Sequence, residues 1–173
     1  MKTFALALGG GGARGIGQIA VLEAFDEMGI KPAAVAGTSI GSLIGAAYAA
    51  GMSGKEIRRY VIGLVHDRGE MLRRLFAARA GTFANLFSMG FGSATLFDAE
   101  KLCGQFVPEQ VPENFGALEI PLTVIASDIH RREPVAFSSG ALRQALAASI
   151  ALPTMVRPLA AKAWEFAREA AAG

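Results

Sequence analysis

Gly37-Thr38-Ser39-Ile40-Gly41 sets a serine among small residues in a G-x-S-x-G pentapeptide. A serine hydroxyl is a weak nucleophile, and it attacks an acyl carbonyl only when a neighbouring base takes its proton. It must also stand clear of its own chain, in a sharp turn between a strand and a helix. The neighbours suit that turn: residues 33–36 read as a short strand ending at Gly37, and residues 40–50 as an apolar helix closed by Gly51. Gly37, Thr38, Ile40 and Gly41 are then the nucleophile elbow around a catalytic Ser39. The plainer alternative is a glycine-rich turn whose serine only caps the helix.

A second cluster, Gly9-Gly10-Gly11-Gly12-Ala13-Arg14-Gly15, lies between the first apolar run and the first helical pattern. Acyl transfer through a serine needs donors aimed at the tetrahedral oxyanion. Consecutive glycine amides at a helix N-terminus supply them, and the helix dipole favours the negative charge. Gly10, Gly11 and Gly12 are the candidate oxyanion hole, with Arg14 and Gly15 completing the loop. Arg14 either adds positive charge or braces the loop. Parallel β-α units bring successive strand ends to one edge of a sheet, which would set this loop beside Ser39.

Gly10, Gly12 and Gly15 also satisfy the dinucleotide-binding spacing G-x-G-x-x-G. That chemistry requires an acidic residue at the end of the second strand to hold a ribose, and the chain has Gly37-Thr38-Ser39 there. A Walker phosphate loop is excluded, because no Gly-Lys-Ser/Thr follows the glycines.

Neither of the two histidines lies in a motif that would place it against Ser39. His66 falls in a charged helical region, and His130 in a polar turn with Arg131 and Arg132. A carboxylate can act as the base in a two-residue dyad, and the shortage of placed histidines points that way. No aspartate follows Asp128, and Asp128 itself reads as a turn or cap residue. It is a fallback only, and the catalytic acid is left open.

Taken in order, residues 10–15 and 37–42 resemble the patatin-like phospholipase family. Ala126-Ser127-Asp128 with residues 133–140, and Ala148-Ser149-Ile150-Ala151-Leu152-Pro153, are similar to that family's bacterial members. The likeness covers most of residues 3–158. It implies a three-layer α/β/α fold with a mainly parallel central sheet. It further implies a Ser/Asp dyad and hydrolysis of acyl esters in lipids, of phospholipase A, lysophospholipase or esterase type, with no metal and no cofactor. One departure stands out. The family pattern continues to a strand ending in Asp-Gly-Gly/Ala, whereas Pro158-Leu159 here runs into Ala160-Ala161-Lys162-Ala163-Trp164. The expectation is a single patatin-like hydrolase domain over residues 1–173, lacking a segment with the dyad aspartate between Leu159 and Ala160. The alternatives are an acyltransferase or thioesterase on a related fold, or a non-catalytic lipid-binding relative.

The scaffold that must hold these residues is α/β in pattern. Residues 3–8 read as a strand buried on both faces. Residues 16–28 read as a helix with Ile19, Leu22, Phe25 and Met28 on one stripe and Gly29 as its stop. Residues 55–79 form a charged helical region broken at Gly63 or Gly69, and Asp98 caps a helix to about Phe106. Strands are expected at 121–127 and 135–138, and helices at 142–148 and 160–172. Residues 81–97 gather Phe83, Phe87 and Phe91 without a clear period, as an acyl-chain wall or as a core-packing loop. Arg73, Arg74 and Arg79 before it would meet lipid phosphates or simply face solvent.

Bulk properties narrow the classes further. At 173 residues the chain fits one domain, and a net charge of +2 leaves no footprint for nucleic acid. The single Cys103 rules out a disulfide framework and suits a reducing, cytoplasmic compartment, with the thiol as a small buried hydrophobe. No charge occurs between Lys31 and Lys55, about the length of a membrane span, but Pro32, Gly37, Ser39, Gly41 and Gly45 interrupt it. The expected partners are therefore a lipid or fatty-acyl ester substrate and peripheral contact with a membrane surface. The sequence sets no oligomeric state.

Overall fold

The computed structural model of the chain describes residues 3–66, 97–129, 131–151 and 156–157. Its order is β1 (Ala5–Leu8), a 3-10 helix (Gly12–Gln18), α1 (Ile19–Glu27), β2 (Ala34–Thr38), α2 (Ile40–Ala49) and α3 (Gly54–His66). Then come β3 (Phe97–Asp98), α4 (Ala99–Phe106), a short 3-10 turn (Phe115–Ala117), β4 (Leu122–Asp128), β5 (Glu133–Phe137), α5 (Leu142–Ile150) and β6 (Val156–Arg157).

Three of these strands lie parallel in the spatial order β1-β2-β4, and β5 closes the sheet as an antiparallel neighbour of β4. The register pairs Leu6 with Val35, Val35 with Leu122, and Val124 with Phe137. Because side chains alternate along a strand, Leu8, Val35, Leu122 and Val124 share one face, and all are buried. Helix α2 crosses that face at Gly45, where a Cβ would lie 3.1 Å from Val35 Cγ1 and 3.4 Å from Leu8 Cδ1. A glycine there brings the helix axis close to the sheet. Ile44, Ala46, Ala47, Tyr48 and Ala49 are buried with it, so this apolar helix is central and spans no membrane. Among the described residues, no helix is long and apolar enough to cross a bilayer. A separate pair, β3 with β6, is parallel. This is an α/β fold with a mainly parallel sheet, as the sequence predicts.

Several expectations need correction. Strand β1 is not buried on both faces: among the described residues it is the sheet edge, and Ala5 and Ala7 are exposed. The first helix does not begin as an α-helix at Ile16. Glycines at 12, 15 and 17 favour helix poorly, and the chain runs as a 3-10 helix until Ile19. Met28, placed on the apolar stripe, is 60% exposed, because α1 ends at Glu27 and Gly29 turns away at φ 66°. Of the two glycines expected to break the charged helical region, Gly63 does not interrupt α3, which continues to His66, and Gly69 lies outside the described residues. One glycine costs a helix about 1 kcal/mol, and Ile57 and Val61 pack α3 against the core. Asp98 immediately precedes α4, and Cys103 is buried within it. Burial pushes that thiol up to about 12, which keeps it protonated and inert. The Phe83 to Phe91 cluster, Arg73, Arg74, Arg79, His130 and the helix expected at 160–172 lie outside the described residues.

Candidate active site

Strand β2 ends at Thr38, α2 begins at Ile40, and Ser39 alone makes the connection. Its backbone sits at φ 52°, ψ −125°. Positive φ is uncommon for a residue with a Cβ and persists only where the surroundings impose it. Two close approaches impose it here. A Cβ on Gly37 would lie 2.6 Å from Gly41 O and 2.7 Å from Ser42 Cα, so strand end and helix start touch through bare backbone. A Cβ on Gly41 would meet the carbonyl oxygens of Leu8 and Gly9, the latter at 2.6 Å. The first turn of α2 is therefore pressed onto the end of β1.

The Ser39 hydroxyl makes no capping hydrogen bond with α2. Ser42 Oγ donates to Ser39 O at 2.7 Å, and Ser42 N and Leu43 N donate to that same carbonyl. An ordinary N-cap serine has extended φ/ψ and accepts an amide of its helix. Ser39 does neither.

The glycine loop lies alongside. A Cβ on Gly10 would be 3.5 Å from Ser39 Cβ, and one on Gly15 would collide with Ile40 Cγ2. Gly11 at φ 128° and Gly12 at φ 55° turn the loop through conformations that side chains rarely adopt. Arg14 is exposed, and its amide donates to Gly11 O at 3.2 Å. The Gln18 side-chain amide donates to Gly9 O at 2.9 Å and Gly15 O at 3.0 Å, tying the two ends of the loop together. Gly10, Gly15, Gly37, Thr38, Ser39, Ile40 and Gly41 thus meet at one place.

Asp128 is elsewhere. Thr38 pairs with Ile125, and Asp128 lies three residues farther along β4, roughly 10 Å at 3.3 Å per residue. Its Oδ1 accepts the Arg131 amide at 3.0 Å, and its carbonyl accepts the Arg132 amide at 2.7 Å. These are the contacts of a hairpin-turn residue. His66 is exposed at the C-terminal end of α3.

Two polar residues at the site were given no role by the sequence. Gln18 ends the 3-10 helix, and no motif marks it. Ser149 accepts the Ser39 amide through its Oγ at 2.8 Å and donates to Ile125 O at 2.6 Å. The signal for it was its place in Ala148-Ser149-Ile150-Ala151-Leu152-Pro153, which carried a likeness but no function.

With this geometry in view, the comparisons identify the family. The model of the family described as Patatin-like phospholipase matches residues 6–161. An uncharacterized NTE family protein of Mycobacterium tuberculosis is 32% identical over 154 residues, 89% of this chain and 39% of that protein. Patatin-like phospholipase domain-containing protein 7 of Rattus norvegicus is 30% identical over 158 residues, 91% of this chain and 11% of that protein. The chain belongs to the patatin-like phospholipase family. It spans well under half the length of these relatives. Among solved structures, the complex of SpcU with ExoU from Pseudomonas aeruginosa contains a chain with the same fold. That chain superposes with a TM-score of 0.52 at 17% identity, covering 92% of this chain and 40% of the other.

Proposed function

We propose that the chain is a serine acyl hydrolase of lipid esters, of phospholipase A, lysophospholipase or esterase type, with Ser39 as its nucleophile. The observation that carries this reading is the strained Ser39 backbone at a strand-to-helix junction, with its hydroxyl not spent on capping and the Gly10 backbone beside it. Family membership supplies the lipid-hydrolase class.

In this mechanism Ser39 Oγ attacks the acyl carbonyl carbon while its proton passes to a base. The carbonyl oxygen becomes an oxyanion and takes hydrogen bonds from amides of the Gly10 to Gly12 loop. Collapse of the intermediate breaks the ester C–O bond, and the departing alcohol takes the proton back. Water then repeats the sequence on the acyl-enzyme and releases the fatty acid. Gly37 and Gly41 hold the turn, and Arg14 and Gly15 hold the loop. None of these steps requires a metal or a cofactor.

The base is proposed to be an aspartate that the 173 residues lack, in a segment that would enter where Leu159 now meets Ala160, within the same hydrolase domain. Asp128 is engaged in its hairpin turn. A lipid substrate would bring the protein to a membrane surface as a peripheral partner, from the cytoplasmic side. A fluorophosphonate probe tests the nucleophile directly. It should label the protein, and Ser39→Ala should abolish labelling. Equal labelling of the variant would remove Ser39 from the mechanism. A protein that binds lipid vesicles but does not react would be a lipid-binding relative.

A further inference from the structure

We propose that Ser149 is a positioning residue for the nucleophile, a role that rests on reading Ser39 as the attacking serine. Ser149 lies in the last turn of α5, and its hydroxyl connects two elements at the site. The oxygen accepts the Ser39 N–H at 2.8 Å, and the hydrogen is donated to Ile125 O of β4 at 2.6 Å. Thr38 Oγ1 donates to the same carbonyl at 3.2 Å. One β4 carbonyl therefore anchors the residue before the nucleophile and, through Ser149, the nucleophile's own amide.

Among the described residues that amide has no other partner. It follows Thr38, the last residue of β2 paired with β4, and it precedes the first turn of α2, whose opening amides find no acceptor inside the helix. Without Ser149, the half-buried Ser39 N–H would be orphaned, and the Ser39 peptide would keep only the Thr38 anchor to β4. Gly37 and Gly41 would still press the turn together, but the peptide could tilt and carry Oγ away from the Gly10 backbone. The direction of the bonds also separates Ser149 from the base. Its proton is committed to Ile125 O and its oxygen faces an N–H, so it orients Ser39 without touching the substrate.

The experiment compares wild type, Ser39→Ala, Ser149→Ala and Ser149→Thr in the same chain. It measures fluorophosphonate labelling rates, kcat and KM on p-nitrophenyl butyrate, thermal midpoints, and hydrogen exchange of the Ser39 amide by NMR. Ser149→Ala should lower kcat and the labelling rate by about 10- to 100-fold, the scale of a misplacement near 1 Å, with KM little changed. Its Ser39 amide should exchange faster. Ser149→Thr keeps an Oγ and should recover most of both losses. Wild-type kcat in Ser149→Ala, with Ser39→Ala inert, would overturn the positioning role and leave Ser39 as nucleophile. Equal losses in both Ser149 variants, matched by equal drops in thermal midpoint, would also overturn it. An unreactive wild-type protein would remove the nucleophile reading and the positioning role together.

Discussion

At Gly41 one hydrogen in place of a methyl group decides whether α2 can reach β1. A Cβ there would meet two backbone carbonyls, Leu8 O and Gly9 O, and neither can rotate away as a flexible side chain would. Gly41→Ala should therefore destabilise the fold by about 1–3 kcal/mol or more, the usual scale for overpacking. It should also disturb Ser39, since relief requires α2 to back out of the site. Urea unfolding monitored by circular dichroism measures the first effect. A wild-type midpoint would mean that strand end and helix start are not in contact. Tyr48 gives a second prediction at this scale. Its hydroxyl donates to Asp26 Oδ1 at 2.9 Å, while Asp26 Oδ2 accepts the Gly54 amide at 2.6 Å at the start of α3. Burial first, and then the Asp26 carboxylate, push the phenol up to about 12 from its ordinary 10.0. A raised folded-state value means that the folded protein holds the proton more tightly than the unfolded chain. This contribution is therefore complete below pH 10 and is lost as pH rises through 12. Stability against urea should fall over that window, and Tyr48→Phe should fall less steeply. Parallel curves for the two proteins would show that Tyr48 does not titrate with folding.

At the scale of elements, legibility followed how local the determining physics was. Strand β2, helix α2 and the turn between them could be read because glycines at 37, 41 and 51 punctuate an apolar run that needs no distant partner to be understood. Strands β4 and β5 and helix α5 were likewise legible from short apolar runs between polar turns. What the sequence could not give was sheet order. Nothing in residues 3–8 says that β1 lies at an edge, so the exposure of Ala5 and Ala7 had to come from the structure. The 3-10 helix was missed for a related reason: Ile16 and Ile19 suit a helical period, but three glycines and the Gln18 tie to Gly9 and Gly15 reset the winding. The loop before that helix is where the next prediction falls. Gly11 sits at φ 128°, a region closed to β-branched residues. Gly11→Val should displace an amide of the proposed oxyanion hole and lower kcat by roughly 10²–10³, the cost of one lost donor, with a smaller effect on KM. Steady-state kinetics on a soluble ester checks it. Unchanged kcat, or tight binding of NADH to this loop, would favour the dinucleotide reading of the same glycines.

At the scale of the whole molecule, Ser39 and the glycine loop were legible as two separate motifs, and the parallel sheet brings them together at the ends of β1 and β2. The Ser149 contact was not legible, since it joins residues 110 positions apart through one hydroxyl. The acid is the component that the described residues do not place beside Ser39. Asp128 caps a hairpin three residues beyond the strand pair that ends at Thr38, and no aspartate follows it in the chain. A serine with oxyanion donors but no proton acceptor should be slow rather than inert, because donors and binding alone retain roughly 10³–10⁴-fold over water in triad enzymes. The 173-residue polypeptide should therefore hydrolyse p-nitrophenyl esters poorly. A version carrying an aspartate-bearing segment between Leu159 and Ala160 should turn over faster, and Asp→Asn within that segment should return it to the slow rate. Intact mass and turnover measured on one sample decide the matter. A mass of 18.0 kDa with vigorous turnover that Asp128→Asn abolishes would make Asp128 the base and require β4 and its hairpin to move toward Ser39. The same mass with slow turnover that Asp128→Asn leaves untouched would keep Asp128 in its turn and the base in the added segment.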